Sequence, residues 1–512
     1  MNTAQVVRMM TPITPVMGNA NLDTYFFFVP NRLIWEHWEE FMGENKTEPW
    51  AQNVEYSEPQ VVAPSSTGWT KGSLADYFGY PTGIASYKAS AMPFRAYAKI
   101  FNDWFRDENL KDPCNIYTGD SDTTGVDVLD PNYDYVTDTI KGAAPCIAAK
   151  MHDYFSSALP SMQKGPSVKV PLGKDAPIVV TSETGATANP AGYTTGTGHD
   201  GERIQYLSGN TANAISGIDE DGNYSNLSSQ HTYGLAADLS AAVGATVNQL
   251  RQAFQIQKFY ERQARGGTRY IELLKSHFRT TNPDFRMQRA EYLGGMRTPI
   301  NINQVVQTDA TSQQLGGKYV GGTWTWEMSD LSPQGNTAAY SLTSGRNKDL
   351  FTHSFTEHGW LIGIAVVRIV HSYQQGLNRM FSRKSMFDYY WPEFAHLGEQ
   401  AILNKEIYLQ GTSQDEEAFG YQERYAEYRY MPDIITGEMR SNYTTSLDIW
   451  HWGDNYSALP TLGSAWIDEP KTNIQRTLAV QNHDQFMGDF YFNVVMTRPM
   501  PLYSVPGLID HF

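Results

Sequence analysis

Cysteine is almost absent from this 512-residue chain, which contains only Cys114 and Cys146. Two cysteines without a Cys-x-x-Cys pair provide neither a disulfide framework nor a metal site, so we expect both to be buried and reduced, as in a protein made in a cytoplasm. The longest apolar run, residues 360–367, is too short to cross a bilayer, and no signal-peptide core follows Met1. The sequence therefore predicts a soluble intracellular product with no membrane insertion.

Charge is also scarce, because only 18% of residues are charged and the net charge is −16. A chain this acidic is not expected to coat nucleic acid over its whole surface, which argues against a dedicated DNA-binding protein. Any DNA beside it would need positive charge from another component. Aromatic residues, by contrast, reach 13% and include 31 tyrosines. Tyrosine-rich surfaces suit burial against other copies of a chain, although a tyrosine-rich core explains the composition equally well.

Sequence motifs of catalytic, metal-binding and nucleotide-binding sites are missing. The 12 histidines are scattered without an HExxH pattern, and there is neither a Walker lysine nor a GxSxG elbow. Gly196, Gly198 and Gly201 match the GxGxxG spacing, but they follow no predicted strand and open no predicted helix, so we interpret them as loop glycines. We therefore expect no enzyme, metal or cofactor. The alternative is a β-rich carbohydrate-active enzyme or carbohydrate-binding protein, with aromatic sugar platforms and two carboxylates at hydrolytic spacing.

Apolar patterns predict separated strands with helices between them. The strands are predicted at 22–30, 178–181, 360–370 and 489–499, and a strand-like pattern continues from 355 onward. The helices are predicted at 33–42, 92–107, 146–157 and 236–264. Eight strands of about six residues need only about fifty residues. We therefore predict a mainly β single domain over 1–512, an eight-stranded antiparallel jelly-roll barrel with long helix- and loop-containing insertions.

Two segments are predicted to be loops. Residues 182–233 consist mainly of Gly, Thr, Ser, Asn and Asp and contain too few large apolar residues for a core. Such a tract is too long for an ordinary connection, so we predict a surface-protruding insertion, with a disordered linker as the alternative. A shorter turn-rich stretch, 316–347, is predicted to be a second variable loop.

Residues 251–297 carry ten Lys and Arg but only four acidic residues. Basic residues interleaved with aromatic ones suit single-stranded nucleic acid, which presents both phosphates and unstacked bases. The candidate contacts are Arg251, Lys258, Arg262, Arg265 and Arg269. The alternatives are a solvated helix face and arginines that pair with acids across a subunit contact.

A second candidate surface lies in 421–432, where tyrosine and arginine alternate. These residue types dominate interface hot spots, so we predict a subunit contact there, with an ordinary half-buried strand as the alternative. The candidate contact residues are Arg424, Tyr425, Tyr428, Arg429 and Tyr430.

Longer blocks carry a family resemblance. They include TYFFFVPNRLIWEHWEEFMGE, QKGPSVKVPLG, RQAFQIQKFYERQARGGTRYIE, SYQQGLNRMFSR, FDYYWPEFAHLGEQAILNKEIYLQG, FGYQERYAEYRYMPDIITGEMR and RPMPLYSVPGLIDHF. In this order they resemble the major capsid protein of Microviridae, with the gokushoviruses as the nearest branch. The resemblance covers most of the chain outside 182–233 and 316–347.

The resemblance implies a jelly-roll subunit of a T=1 icosahedral shell around circular single-stranded DNA, in a virion assembled in the cytoplasm of a bacterial host. It implies two partners, a minor pilot-type virion protein and a small basic DNA-binding protein, and the latter would supply the missing positive charge. Segment 182–233 falls where such capsids carry a threefold protrusion thought to meet a host surface receptor. Family members usually have a further segment ahead of the block that begins near Val6, so we expect a fragment or an internal start, which puts the first barrel strand in doubt.

Overall fold

The computed structural model describes twelve ranges and two single residues of the chain. These are 1–42, 44, 56–166, 168, 178–181, 216–218, 224–226, 234–237, 247–266, 275–279, 288–306, 314–320, 323–328 and 337–498. The chain divides into two compact units. The first comprises Met1–Met162 with Gly267–Phe512, and the second comprises Gln163–Gly266.

Strands make up most of the regular structure in the described chain. In chain order they are β1 (Asn2–Met9), β2 (Ala20–Pro30), β3 (Gln60–Val62), β4 (Lys88–Ser90), β5 (Thr123–Thr124), β6 (Ile178–Thr181), β7 (Ser216–Ile218), β8 (Tyr224–Asn226), β9 (Gly234–Ala237), β10 (Glu291–Pro299), β11 (Ile302–Val306), β12 (Gln314–Val320), β13 (Thr323–Met328), β14 (Thr337–Ser341), β15 (Thr343–Asn347), β16 (Gly359–Ile369), β17 (Glu399–Leu403), β18 (Ala418–Glu423) and β19 (Phe486–Asn493).

Most of the helices are single turns. They are α1 (Trp38–Phe41), α2 (Leu74–Tyr77), α3 (Met92–Ile100), α4 (Tyr135–Asp138), α5 (Val247–Gly266), α6 (Asn404–Ile407), α7 (Ser464–Ile467) and α8 (Lys471–Gln475), and a further helical turn covers 275–278. The structure is therefore a mix of small sheets and short helices with irregular segments between them.

The centre of the first unit is a pair of antiparallel three-stranded sheets, β15-β1-β19 and β10-β2-β16. In β1, Val7 and Met9 are buried whereas Val6 and Arg8 are exposed, because alternate side chains of a strand point to opposite faces. The buried face meets Leu22 of β2 in a shared apolar core. Thr24 Oγ1 of β2 also donates a 2.8 Å hydrogen bond to the Gln5 side chain of β1. The two sheets therefore pack face to face.

Strand β2 is buried on both of its faces, which explains its nearly continuous apolar sequence. Leu22 points into the core between the two sheets. Phe27 and Val29 point the opposite way, into a second core that contains Met92 and Ile100 of helix α3. The predicted strand at 22–30 is thus confirmed and becomes the middle layer of the unit.

The two sheets are joined along one edge. Strands β10 and β15 continue into β11 and β14, which pair with each other antiparallel. At the junction, the Ser341 hydroxyl donates to the Asn301 carbonyl at 2.8 Å, and the Asn301 N–H donates to Thr343 Oγ1 at 2.9 Å. Strands β16 and β19 lie at the outer edges and pair with no further strand among the described residues. These strands therefore form a face-to-face sandwich and do not close into an eight-stranded barrel.

Helix prediction was right in one place and wrong in another. The helix expected at 92–107 is α3 extended by a π turn, Phe101–Phe105. The helix expected at 146–157 is wrong, since the segment is irregular. There the Asp153 carboxylate accepts hydrogen bonds from the N–H groups of Phe155 and Ser156, at 2.9 and 2.7 Å. An aspartate that bonds its own local backbone competes with helix formation.

Two other predicted helices are shorter than expected. The helix predicted at 33–42 is reduced to α1, and a separate 3-10 turn, Asn31–Leu33, precedes it. The helix predicted over 236–264 begins only at Val247, because residues 234–237 form strand β9. A helical apolar spacing therefore located both helices but not their first residues.

Strands and turns are partly exchanged relative to the prediction. The stretch predicted to be a turn-rich loop contains strands, and the region predicted to be strand-like contains many turns. Residues 314–347 include β12, β13, β14 and β15. Between β16 and β19, in contrast, the β17–β18 hairpin is surrounded by 3-10 turns rather than by the strand-like pattern expected from 355 onward. Several of these turns begin at a residue whose side chain accepts a backbone hydrogen bond. Asn378, for example, accepts one from the N–H of Met380.

Candidate assembly and nucleic-acid surfaces

Helix α5 of the second unit brings four of the predicted nucleic-acid contacts together. Arg251, Lys258, Arg262 and Arg265 are all exposed, and their spacings of seven, four and three residues place them on one face of the helix, within about 60°. Buried alanines at 253 and 264 mark a different face. Arg269, the fifth predicted contact, lies outside the described residues.

Exposed aromatic rings lie on both sides of this cationic stripe. Phe254 lies four positions before Lys258, and Phe259 lies one position after it. At 100° per residue, the two side chains therefore point to opposite sides of the stripe. Both are largely exposed. The Phe259 ring also contacts Tyr260, with ring centroids 6.0 Å apart. Positive charge beside accessible rings is the arrangement that binds phosphates and unstacked bases.

The predicted subunit contact at 424–430 is not a strand. Strand β18 ends at Glu423, Tyr425 has a left-handed backbone with φ of 67°, and a 3-10 turn, Ala426–Arg429, follows. Tyr425 is buried, and the Tyr430 ring stacks on Tyr154 at 5.1 Å inside an apolar cluster. Two of the five candidate residues therefore contribute mainly to the interior of this unit.

The other three candidates lie nearer the surface. Tyr428 and Arg429 are exposed, and Arg429 pairs with Glu423. The Arg424 guanidinium lies over the rings of Tyr425 and Phe394, at 5.2 and 5.7 Å. The accessible part of the predicted contact is thus Tyr428 with Arg429.

Tyr428 adjoins an exposed stretch that sequence reasoning did not single out. We call residues 379–397 the aromatic segment. Its large exposed apolar side chains are Met380, Phe381, Met386, Phe387, Tyr389, Tyr390, Trp391 and Leu397. The density of aromatic residues in 386–394 was the available signal, but such density is equally typical of a buried core.

The aromatic segment is exposed without being loose. The Asp388 carboxylate accepts hydrogen bonds from the N–H groups of Lys384 and Ser385, at 2.8 and 2.7 Å, and these bonds hold the pKa of Asp388 below its usual value. Trp391 Nε1 donates to the Met386 carbonyl at 2.8 Å. The N–H of Tyr390 donates to the Tyr428 hydroxyl at 3.1 Å. The rings are therefore held in place before anything covers them.

Buried ion pairs attach this segment to the unit. Arg379 Nη1 lies 3.0 Å from the Glu406 carboxylate, and Arg383 lies 3.8 Å from Glu427. Burial raises the pKa of Glu406, while the charge of Arg379 and a hydrogen bond from the Leu403 N–H oppose that shift. Tyr154 donates a further hydrogen bond to Glu406 at 3.1 Å, which ties the pair to the neighbouring apolar cluster.

A second buried charge centre surrounds His371, just after β16. Its Nδ1 lies 2.9 Å from Asp454 and its Nε2 lies 3.2 Å from Glu469. Burial alone would lower the pKa of His371, but its hydrogen bonds to the two carboxylates raise it to about 9. Burial would also raise the pKa of Asp454, yet His371 and Lys150 hold it well below its usual range.

This centre has the residue types of a catalytic site but not the access. The side chains of His371 and Asp454 are only 1% and 3% exposed, so no substrate reaches them. Tyr456 donates to Asp454 at 2.8 Å, and Asn473 also binds it. Every charge is therefore matched internally, as expected for a structural junction.

The described part of the chain contains neither a metal-ligand cluster nor a membrane-spanning helix. No group of three or more His, Cys, Asp or Glu residues there is placed to hold a metal ion. Within the same residues, no helix has the length and apolar character needed to cross a membrane. The loop glycines Gly196, Gly198 and Gly201 lie outside the described residues, as does most of 182–233.

Similar proteins point to one role. A family model described as capsid protein (F protein) matches residues 1–508. The chain is 42% identical to capsid protein VP1 of Bdellovibrio phage phiMH2K, over 100% of this chain and 90% of that protein. It is 38% identical to capsid protein VP1 of Chlamydia phage 1 and 39% identical to that of Spiroplasma virus 4, over 99% of this chain and 90% and 89% of those proteins.

The resemblance to Microviridae capsid proteins is thus confirmed over essentially the whole chain. It overrules the alternative of a carbohydrate-active enzyme, since the matched family is structural. The chain therefore belongs to the capsid protein (F protein) family and is a non-enzymatic structural protein of a bacteriophage virion.

Proposed function

We propose that copies of this chain assemble as jelly-roll subunits into a T=1 icosahedral shell around a circular single-stranded DNA genome. The face-to-face sheets β15-β1-β19 and β10-β2-β16 supply six strands of such a fold, already joined along one edge. The outer edges β16 and β19 are where further strands would complete an eight-stranded barrel. Closed symmetry would then limit the size of the assembly.

The observation that supports assembly most directly is the aromatic segment. A row of exposed aromatic side chains held by internal hydrogen bonds binds a neighbour at a lower entropic cost than a flexible loop would. Burial of these rings removes apolar surface from water, which drives association. We assign the subunit contact to this segment together with Tyr428 and Arg429, with Arg424 behind them.

Introduction of a negative charge on this surface tests the assignment. Phe381 is 79% exposed, so Phe381→Asp is expected to leave the fold intact and to reduce the yield of shells at least tenfold in negative-stain microscopy. Tyr77→Asp is the matched control, because Tyr77 is 70% exposed but lies in α2, outside the aromatic segment. Shells from the Phe381 variant in normal yield would overturn the assignment.

We assign the cationic stripe of α5 to contact with the DNA, as an addition to the charge supplied by a small basic DNA-binding protein. Four aligned cations cannot offset a chain with a net charge of −16, which supports the need for that partner. Mass spectrometry of purified particles is expected to find both this basic protein and a minor pilot-type virion protein. Particles that contain DNA and this chain alone would contradict this assignment.

We assign segment 182–233, which includes Gly196, Gly198 and Gly201, to a protrusion that meets a host surface receptor, with 316–347 as a second variable region. Its composition supports an exposed excursion rather than a core. Particles that lack residues 190–205 are expected to assemble normally but to lose adsorption to host cells. Unchanged adsorption would exclude this role for the segment.

A further inference from the structure

Cys114 and Cys146 lie side by side although 32 positions separate them in the chain. Their sulfur atoms are 3.7 Å apart, and both cysteines are free thiols. The Thr139 hydroxyl lies 3.8 Å from one sulfur and 3.4 Å from the other. The sequence predicts that both cysteines are buried and reduced, but it predicts no contact between them. Cys114 is buried, whereas Cys146 is only partly buried. Their juxtaposition is a product of the fold.

The backbone on each side of the pair is attached to the same helical element. The Cys114 N–H donates to the Asn102 side chain at 2.8 Å, and Asn102 donates back to the Cys114 carbonyl at 2.8 Å. The Cys146 N–H donates to the Tyr97 hydroxyl at 3.1 Å. Because Tyr97 and Asn102 belong to α3 and the π turn that extends it, the two sulfurs stay close together.

The surroundings of the two sulfurs differ in a way that suits thiol chemistry. A hydrogen bond from the Cys146 thiol lowers the pKa of Cys114, and the nearby Lys111 and Arg106 lower it further against the effect of burial. The same hydrogen bond together with burial raises the pKa of Cys146. The shared proton therefore leaves Cys114 as the better thiolate of the pair.

Cys146 is the less buried of the two cysteines. Cys114 is 3% exposed, whereas Cys146 lines a cavity of about 1040 Å³ between the β16 edge and the segment around α2. A small disulfide molecule in that cavity would meet Cys146 first. A closed protein disulfide needs the sulfurs at about 2.05 Å, so the pair must move together by under 2 Å.

We propose that Cys114 and Cys146 form a site of reversible disulfide modification, which is reduced when the chain is made and closes when the particle meets a low-molecular-weight disulfide. Cys114 first loses its proton to water, and its thiolate then takes the proton of the Cys146 thiol as the Cys146 sulfur attacks the reagent disulfide. One reagent thiolate leaves and takes that proton from Cys114. The Cys114 thiolate then attacks the Cys146 sulfur and breaks its bond to the reagent sulfur, and the second reagent thiolate leaves and takes up a proton from water. Two protein thiols and one disulfide thus become one protein disulfide and two reagent thiols.

The bond would tie the segment around Cys114 to the turn that follows Lys141. Both regions surround helix α3, which packs on β2 at the centre of the unit. A cross-link that closes a loop of this length restricts the unfolded chain more than the folded one. The oxidised particle is therefore expected to unfold at a higher temperature than the reduced particle.

The test uses the reduced, full-length protein and glutathione disulfide at pH 8, followed by alkylation and intact-mass measurement. We expect a loss of both alkylation sites, no retained glutathione, monomers on a non-reducing gel and a cross-linked Cys114–Cys146 peptide. Two alkylatable thiols, a retained glutathione adduct or disulfides between chains would each overturn the proposal.

Two variants separate the roles of the sulfurs. Cys114→Ser is expected to retain one glutathione on Cys146, because no second thiol is present to displace it. Cys146→Ser is expected to react at least tenfold more slowly, since Cys114 is buried. A folded Cys114→Ser protein that takes up no glutathione would overturn the assignment of Cys146 as the attacking sulfur, and the wild-type measurement decides the main proposal if a variant fails to fold.

Discussion

The imidazole of His371 lies 2.9 Å from the carboxylate of Asp454, at a point where the end of β16 meets the C-terminal part of the chain. Glu469 binds the other ring nitrogen and Lys150 lies 3.5 Å from Asp454. Four segments distant in sequence thus meet at one buried, charge-matched centre. Its stability depends on every member keeping its charge.

Alkaline pH is expected to weaken this centre. The pKa of His371 is raised from 6.5 to about 9 in the folded chain, so its contribution is complete below pH 6.5 and is lost as the pH rises through 9. A shift of this size corresponds to about 3 kcal/mol. Urea unfolding at pH 6.5 and pH 9.5 measures the loss.

His371→Gln provides the control for this pH dependence. The variant is expected to be less stable at pH 6.5 and to lose less of its remaining stability between pH 6.5 and pH 9.5 than the wild type does. An equal loss in both proteins would show that other groups cause the pH dependence.

Removal of Glu406 is expected to destabilise the fold strongly. The carboxylate is buried and pairs with Arg379 at 3.0 Å, so Glu406→Ala would leave a largely buried guanidinium without this partner. We expect a loss of about 3–5 kcal/mol in the free energy of unfolding, measured with urea.

The matched control for Glu406 is an exposed ion pair. Lys88 is 62% exposed and lies 2.8 Å from Asp122, so Lys88→Ala is expected to cost about 1 kcal/mol or less. Similar losses in the two variants would contradict the view that burial, rather than pairing itself, makes the Arg379–Glu406 contact strong.

The cationic stripe is expected to bind single-stranded DNA in a salt-dependent way. Replacement of Arg251, Lys258, Arg262 and Arg265 by Gln removes four charges from one helix face. The slope of log affinity against log salt for a single-stranded oligonucleotide is expected to fall by about 3.

A control with the same loss of charge is available in the first unit. Arg8, Lys71, Arg346 and Lys348 are also exposed, and their replacement by Gln is expected to leave the salt slope nearly unchanged. An equal effect in the two variants would favour the alternative that the stripe is an ordinary solvated helix face.

Local patterns in the sequence correctly predicted those elements for which packing against the rest of the chain favours the same structure as the local pattern. The apolar run at 22–30 became β2, and the apolar stripe at 92–107 became α3 with its π turn. The basic spacing around Arg251 and Lys258 placed both side chains on one helix face. In these cases the period of the chain itself decides which side chains share a face.

Other features depended on side chains that compete with the pattern or come from far away. Asp153 bonds its own backbone and prevents the helix expected at 146–157. Tyr425 and Tyr430 have the residue types of an interface, yet Tyr425 is buried and the Tyr430 ring stacks on the distant Tyr154. A pattern of residue types does not specify which of them a distant segment will cover.

The two cysteines illustrate the difference between what the sequence determines and what only the tertiary structure decides. Composition by itself established an acidic, aromatic-rich chain, and its ordered blocks of residues established the capsid family. Only the tertiary structure decided that Cys114 and Cys146 lie 3.7 Å apart, that His371 meets Asp454, and that the rings of 379–397 face outward. Such contacts join residues many positions apart, so they depend on how the sheets and turns pack rather than on any local period of the sequence.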